Sequence, residues 1–349
     1  MSTRTHSPAA RYARWCLAAF LGLLPVCAGA QSTAAFTRMG FESRGMAMGN
    51  ALVADVSGHT SPYYNPALAP ELTAQHIGFS AAYLRLDRQL QSVALGSPLQ
   101  PRAGLAVGLL HAGVSNIDGR DNSGFHTGTL STDEFAFFMA FGLRLTERAS
   151  AGIALQLFRA DLHDLVDPVN SVGLDFGVAV RATDRLTVGA VVEDLLAKYD
   201  WDTSSLPGGG GKTTRDQFAR RARLGASAAD GAGRLRINAE VEFMLESLEV
   251  RSTFVELSSG IPIERTESET IRRLSSQFRF GAEYYPSSVF AILAGVDRLG
   301  SDALTGAAPT AGFLVEQPFG SLVVRAAYAF VLEPSATGSA HVLTLRVFL

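Results

Sequence analysis

The sequence predicts an all-β protein, a closed antiparallel transmembrane β-barrel of about fourteen strands with a small, partly helical N-terminal plug. Three observations predict it. Apolar and polar residues alternate from His76 to Leu349 in blocks of about ten, and strands of ~9–11 residues cross a tilted bilayer path where soluble strands run ~5–6. The connections between blocks are tight and long by turns. No stretch after residue 30 holds the ~18 continuous apolar residues of a transmembrane helix, and only helices and closed barrels satisfy every backbone group in lipid.

Residues 1–30 read as a secretory signal. Arg4, Arg11 and Arg14 form a basic start, Trp15 to Val26 an apolar core, and Ala28-Gly29-Ala30 a small-residue cleavage site. Both cysteines, Cys16 and Cys27, lie inside it, so a mature chain from Gln31 has no disulfide, no thiol catalysis and no cysteine-held metal. Losing three arginines leaves 27 basic against 33 acidic side chains, a net of −6. That balance argues against nucleic acid as a partner.

Residues 31–75 lack long period-two runs. The span 43–54, with Met46, Ala47, Met48 and Ala51, reads as one short helix. The proline-rich 61–70 reads as a rigid turn region with a helical turn at 66–69, Asn65 as its cap and Pro66 in its first turn. So small a stretch cannot fold alone, and the lumen of the barrel is its host. Met46, Met48, Leu52, Tyr63, Tyr64 and Leu68 are candidates to line an apolar pocket between it and the wall, and packing of the plug explains them equally well.

The barrel occupies 76–349. Its strands centre on 76–86, 89–97, 102–114, 133–146, 149–161, 171–183, 185–196, 218–229, 233–245, 275–285, 288–299, 309–317, 319–332 and 340–349. Tight turns fall at 97–102, 146–148, 183–184, 230–232, 286–287 and 317–318, and long loops at 115–132, 162–170, 197–217, 246–274 and 300–308, although alternation runs on through Val250 to Leu257 as if strands extend above the membrane. Bacterial outer-membrane barrels have this asymmetry, with short periplasmic turns and longer outer loops. The last block alternates to the end and places Phe348 in the penultimate position, near where such barrels carry a terminal aromatic.

One face of the strands is polar and often charged: Glu134, Asp175, Glu193, Arg221, Arg223, Arg236, Glu240, Glu242, Arg279, Glu283, Arg325 and Arg346. A charge facing lipid at mid-depth costs ~2–4 kcal/mol, so these residues point into the lumen, as a salt-bridge network holding barrel and plug or, as the sharper reading, a selective permeation path. Nothing points to catalysis, a cofactor or a metal. Gly208 to Thr214 looks like a phosphate-binding loop but has Leu206 where the first glycine belongs. Asp118, Arg120 and Asp121 miss the spacing of a calcium loop, and the seven histidines do not cluster. The expected surroundings are outer-membrane lipid.

The stretches Arg44-Gly45-Met46-Ala47-Met48-Gly49 and Tyr64-Asn65-Pro66-Ala67 resemble the plug motif of the FadL superfamily of outer-membrane barrels. Within that group Ile117 to Asp121, Thr127-Gly128-Thr129, Leu143 to Arg148, Val192 to Leu195 and Lys198 to Trp201 resemble the PorV/PorQ branch. Asn50 and Leu68 stand where those proteins often have glycine. The resemblance implies a fourteen-stranded barrel whose plug includes Arg44, Gly45, Met48, Gly49, Tyr64, Asn65, Pro66 and Ala67. It also implies two functions. The first expectation is PorV-like handling of secreted protein cargo, with a surface-attachment complex and type IX secretion, through loops 115–132, 197–217 and 246–274. The alternative is uptake of hydrophobic small molecules such as fatty acids along a lateral route past the plug.

Overall fold

The computed structural model describes residues 33–204, 213–258, 261–300, 306–333 and 338–349, with the backbone only over 248–269. The signal expected at 1–30 and the glycine run 208–211 lie outside the described residues.

The described residues form sixteen strands. They are β1 (His76–Tyr83), β2 (Arg88–Leu99), β3 (Ala103–Arg120), β4 (His126–Arg144), β5 (Ala149–Asp161), β6 (Val169–Arg181), β7 (Leu186–Glu193), β8 (Lys198–Asp202) and β9 (Thr213–Gln217). Then follow β10 (Arg220–Ala229), β11 (Leu235–Ser258), β12 (Ile261–Ser287), β13 (Phe290–Gly300), β14 (Ala308–Phe319), β15 (Leu322–Leu332) and β16 (Ser339–Phe348). Fourteen close an antiparallel barrel, and β8 and β9 pair apart from it. Each barrel strand pairs with its chain neighbours, and β1 closes on β16 with His76 opposite Phe348.

Alternation sets the faces. On β4, Phe137, Met139, Phe141 and Leu143 are exposed outward while Ala136, Phe138 and Ala140 are buried inward. Phe278 and Phe280 on β12 and Leu343 and Leu345 on β16 extend the outward apolar belt. A closed barrel wearing such a belt spans a bacterial outer membrane, because no strand edge is left for lipid to strand without a partner.

Four expectations change. The loop at 115–132 is mostly strand: β3 and β4 continue to Arg120 and from His126, across a bulge where Asn116 takes φ +55°. The loop at 246–274 is likewise a hairpin of β11 and β12, paired to Ser258 and Ile261. Backbone pairing continues past the outward apolar belt, and over 250–257 the alternation read from the sequence continues with it. Loop 197–217 contains the β8–β9 pair. The fourth concerns the helix expected over 43–54, which is only α1 (Glu42–Ala47). Gly49 and Asn50 take φ of +59° and +57°, a left-handed turn that ends it.

Residues 33–75 thread the barrel interior as a 3₁₀ turn η1 (Ala35–Arg38), α1, and a second 3₁₀ turn η2 (Pro66–Glu71). Asn65 caps η2 by accepting from Ala67 N at 2.9 Å, and Pro66 fills the first position, where a missing donor costs nothing. α1 packs on β14, β15 and β16, and η2 on β3 to β6.

Candidate functional site

The barrel interior is divided into two sectors by residue type. From β7 through β10 to β13 the inner wall is charged. Arg279 reaches Glu240 at 2.9 Å, Asp297 at 2.7 Å, and Glu242. Arg223 pairs with Glu240 at 3.2 Å and donates to Tyr64 O at 2.9 Å. Arg221 lies 2.9 Å from Asp194 and 3.5 Å from Glu193.

This wall grips the N-terminal segment through Arg44. Its guanidinium donates to both oxygens of Glu283 on β12, at 2.9 and 2.7 Å, to Asp55 at 2.8 Å and to Thr60 at 2.9 Å. Arg236 adds a contact of 3.3 Å to Asp55. Burial works against the Asp55 carboxylate, but Arg44 and Arg236 outweigh it and hold its pKa well below the usual range. Asn50 donates to Asp297 at 2.9 Å and accepts from the Tyr64 hydroxyl at 2.8 Å. On the C-terminal strand Arg346 pairs with Glu42 and donates to His59 O at 2.6 Å, and Arg325 pairs with Glu316.

Ten of the twelve charged residues expected in the lumen thus sit in inward ion pairs. Two stand apart. Asp175 accepts from Gln156 and from Asp194 N, at 2.9 Å for the latter, without a cation. Glu134, half-buried toward the outer end of β4, has no ion-pair partner among the described residues. Sequence reading missed the partners Glu42, Asp55, Thr60, Asp194 and Asp297. Asp194 and Asp297 follow or interrupt alternating runs, and the others come from a segment with no period to place them.

From β14 through β16 and β1 to β5 the inner wall is mostly apolar. Leu314, Ala329, Val342, Ala82, Leu90 and Leu110 are buried there. Gly104, Gly142, Gly152 and Gly177 are paired across four adjacent strands. A Cβ on any of them would overlap η2 or Asn65. Asn65 donates here to Val53 O at 2.8 Å and Val178 O at 3.1 Å. Gly45 leaves room for the Tyr64 ring, and Gly49 meets the backbone of β12 and β13.

Aromatic rings fill this sector. Phe41 stacks on Tyr63 at 4.7 Å between centroids, and Phe138 meets both edge-on at 5.4 and 5.2 Å. Toward the outer end Phe158 meets Phe218 at 4.8 Å, and Tyr199 lies 4.9 Å from Phe218 and 5.5 Å from Trp201.

Packing rather than a pocket accounts for the apolar side chains of the N-terminal segment. Met46, Met48, Leu52, Tyr64 and Leu68 are packed into the core at 2% exposure or less, and do not line a cavity. The large apolar hollows lie instead on the lipid side, one of about 710 Å³ between Phe79, Leu109, Phe313 and Leu343. Phe348 faces inward, under Arg325 at 4.9 Å and Arg346 at 5.9 Å, while Leu349 is exposed. Strict alternation from Arg346 dictates this: only odd positions of β16 meet lipid.

The toluene transporter TbuX of Ralstonia pickettii superposes with a TM-score of 0.56 at 14% identity, over 89% of this chain and 98% of that one. The chain has the FadL-type barrel fold. The monoaromatic hydrocarbon channel CymD gives 0.58 at 12% identity over 88% and 96% of the two chains. A FadL homologue of Pseudomonas aeruginosa gives 0.54 at 13% over 88% and 99%. No family model and no curated protein sequence matches the chain.

Proposed function

We propose that this protein belongs to the FadL superfamily and admits hydrophobic small molecules across the outer membrane, with residues 33–75 as its plug. The observation that carries this reading is the aromatic content of the lumen, with Trp201, Tyr199, Phe218 and Phe158 grouped toward the outer end and Phe138 grouped with the plug's own Tyr63 and Phe41. An apolar solute meeting either group exchanges water for ring faces, and each contact is weak enough to release. The fold supports the same reading, since TbuX and CymD are described as a toluene transporter and a monoaromatic hydrocarbon channel. The charged sector offers no such surface and serves to hold the plug.

Proteoliposomes test this with labelled toluene and a labelled fatty acid. Uptake faster than in protein-free liposomes, slowed by Phe138→Ala, is expected. Equal rates in both preparations would sink the proposal.

A second reading, handling of secreted protein cargo as in the PorV/PorQ branch, has one structural observation in its favour. The β11–β12 hairpin stays paired for thirteen residue pairs beyond Leu245 and Leu274, past the ends of its neighbours β10 and β13. Deleting 250–270 with the barrel intact should then abolish cargo retention, and unchanged retention argues against it.

A further inference from the structure

At the end of the barrel that carries the short turns, η2 and residues 56–58 meet the β2–β3 turn around a polar cavity of about 380 Å³. Ser57, Gly58, Glu71, Thr73, Arg144 and Arg181 line it. Arg144 Nη2 donates to Pro70 O at 2.9 Å and to Glu71 Oε1 at 3.2 Å, and Arg181 Nη2 donates to Glu71 Oε2. One carboxylate, with each oxygen already engaged, therefore faces two guanidiniums. Arg144 Nε is buried without a hydrogen-bond partner. A buried donor left unmade is costly, and such a group calls for an acceptor.

The surroundings add to the excess of positive charge. Arg144 N donates to Arg102 O at 2.7 Å, and Arg181 N donates to Arg148 O at 2.8 Å. Two exposed arginines are thus tied by backbone beside the two that line the cavity. Glu147, on the neighbouring turn, lines a small adjoining pocket with Arg144, Arg148 and Arg181. Leu99, part of the lining and 39% exposed, sits at the lipid edge of the same turn.

We propose that this cavity binds a phosphate group between Arg144 and Arg181, as a site separate from the hydrophobic route. Guanidinium forks match phosphate oxygens in pairs, and the cavity can seat the group with its hydration or with a short esterified stem. The phosphate comes either from solution or from the headgroup of a phospholipid in the adjoining leaflet, for which Leu99 would contact the chain.

Titration calorimetry of the detergent-purified protein with inorganic phosphate, and native mass spectrometry after reconstitution with phosphatidylglycerol or phosphatidylcholine, test it together. Saturable phosphate binding is expected. Arg144→Gln should weaken it about tenfold, the loss of one charge-assisted hydrogen bond. Glu71→Gln should tighten it, because the competing carboxylate is gone. If Glu71 and Arg144 only brace the turn, the two substitutions act in the same direction. Phospholipid retained by the wild type and lost from Arg144→Gln identifies a headgroup as the source, and phosphate binding without retained lipid identifies the free ion. Absence of both, or identical behaviour of the two variants, overturns the proposal. Arg181→Gln replaces Arg144→Gln if the latter fails to form the heat-modifiable folded band.

Discussion

The two sectors of the inner wall hold the same segment by opposite means. Between β7 and β13 the grip is directional. Arg44 is locked to Glu283 and Asp55, and Asn50 to Asp297, so the segment has one register there. Between β3 and β6 the grip is steric. The paired glycines let η2 lie backbone against backbone on the wall. Buried ion pairs bring large penalties when one partner is lost, whereas packed apolar surface loses contact gradually. The charged sector is therefore built to stay fixed. Around Phe41, Tyr63 and Phe138 the apolar sector can yield to an apolar guest without parting an ion pair.

Substitutions can break or sharpen that contrast. The largest effect is expected from Arg44→Met, which abandons Glu283 and Asp55 in a site where the arginine side chain is only 6% exposed. A loss of about 3–5 kcal/mol, seen as a lower urea midpoint for the folded band on unheated gels, is the expected size. A loss under ~1 kcal/mol would erase the distinction between the sectors. Gly152→Val comes next. Its side chain would overlap the backbone of Pro66 and Ala67, and overpacking of this kind costs about 1–3 kcal/mol. It should also render 66–71 sensitive to protease while Arg44 keeps α1 in place. Asn65→Ala should cost about 0.5–2 kcal/mol by removing the cap of η2. The smallest effect is expected outside the barrel lumen. Arg215→Gln, at an exposed contact with Asp200, should leave the midpoint unchanged, as most surface ion pairs contribute little.

Much of the barrel was legible because period two is imposed by the wall itself. A strand with lipid on one side and a filled lumen on the other must alternate, so Phe135 to Leu143 and Leu235 to Phe243 announce both their conformation and their faces. Where that constraint ends the signal weakens: the extensions of β3 and β4 read as loop, and that of β11 shows only as the alternation over 250–257. Inside the lumen the direction of Arg279 or Glu283 followed from alternation. The partnership of Glu283 with Arg44 did not, since 239 residues separate them and nothing local relates the two. The motif around Asn65 was readable as a cap, but its second task, donating to Val53 and Val178 carbonyls, depends on where β6 passes.

The glycine row on β3 to β6 also bears on the order of events during biogenesis. At these glycines η2 lies backbone against the wall, so the seating of residues 33–75 and the final packing of β3 to β6 are one event. The closing seam is β1 against β16, whose first and last residues, His76 and Phe348, lie 272 positions apart in the chain. The N-terminal segment touches the last strand through Glu42 to Arg346 and His59 to Phe348, so seating it and joining that seam are coupled. Phe348, pointing inward against His59 and His76, is among the last side chains to seal it.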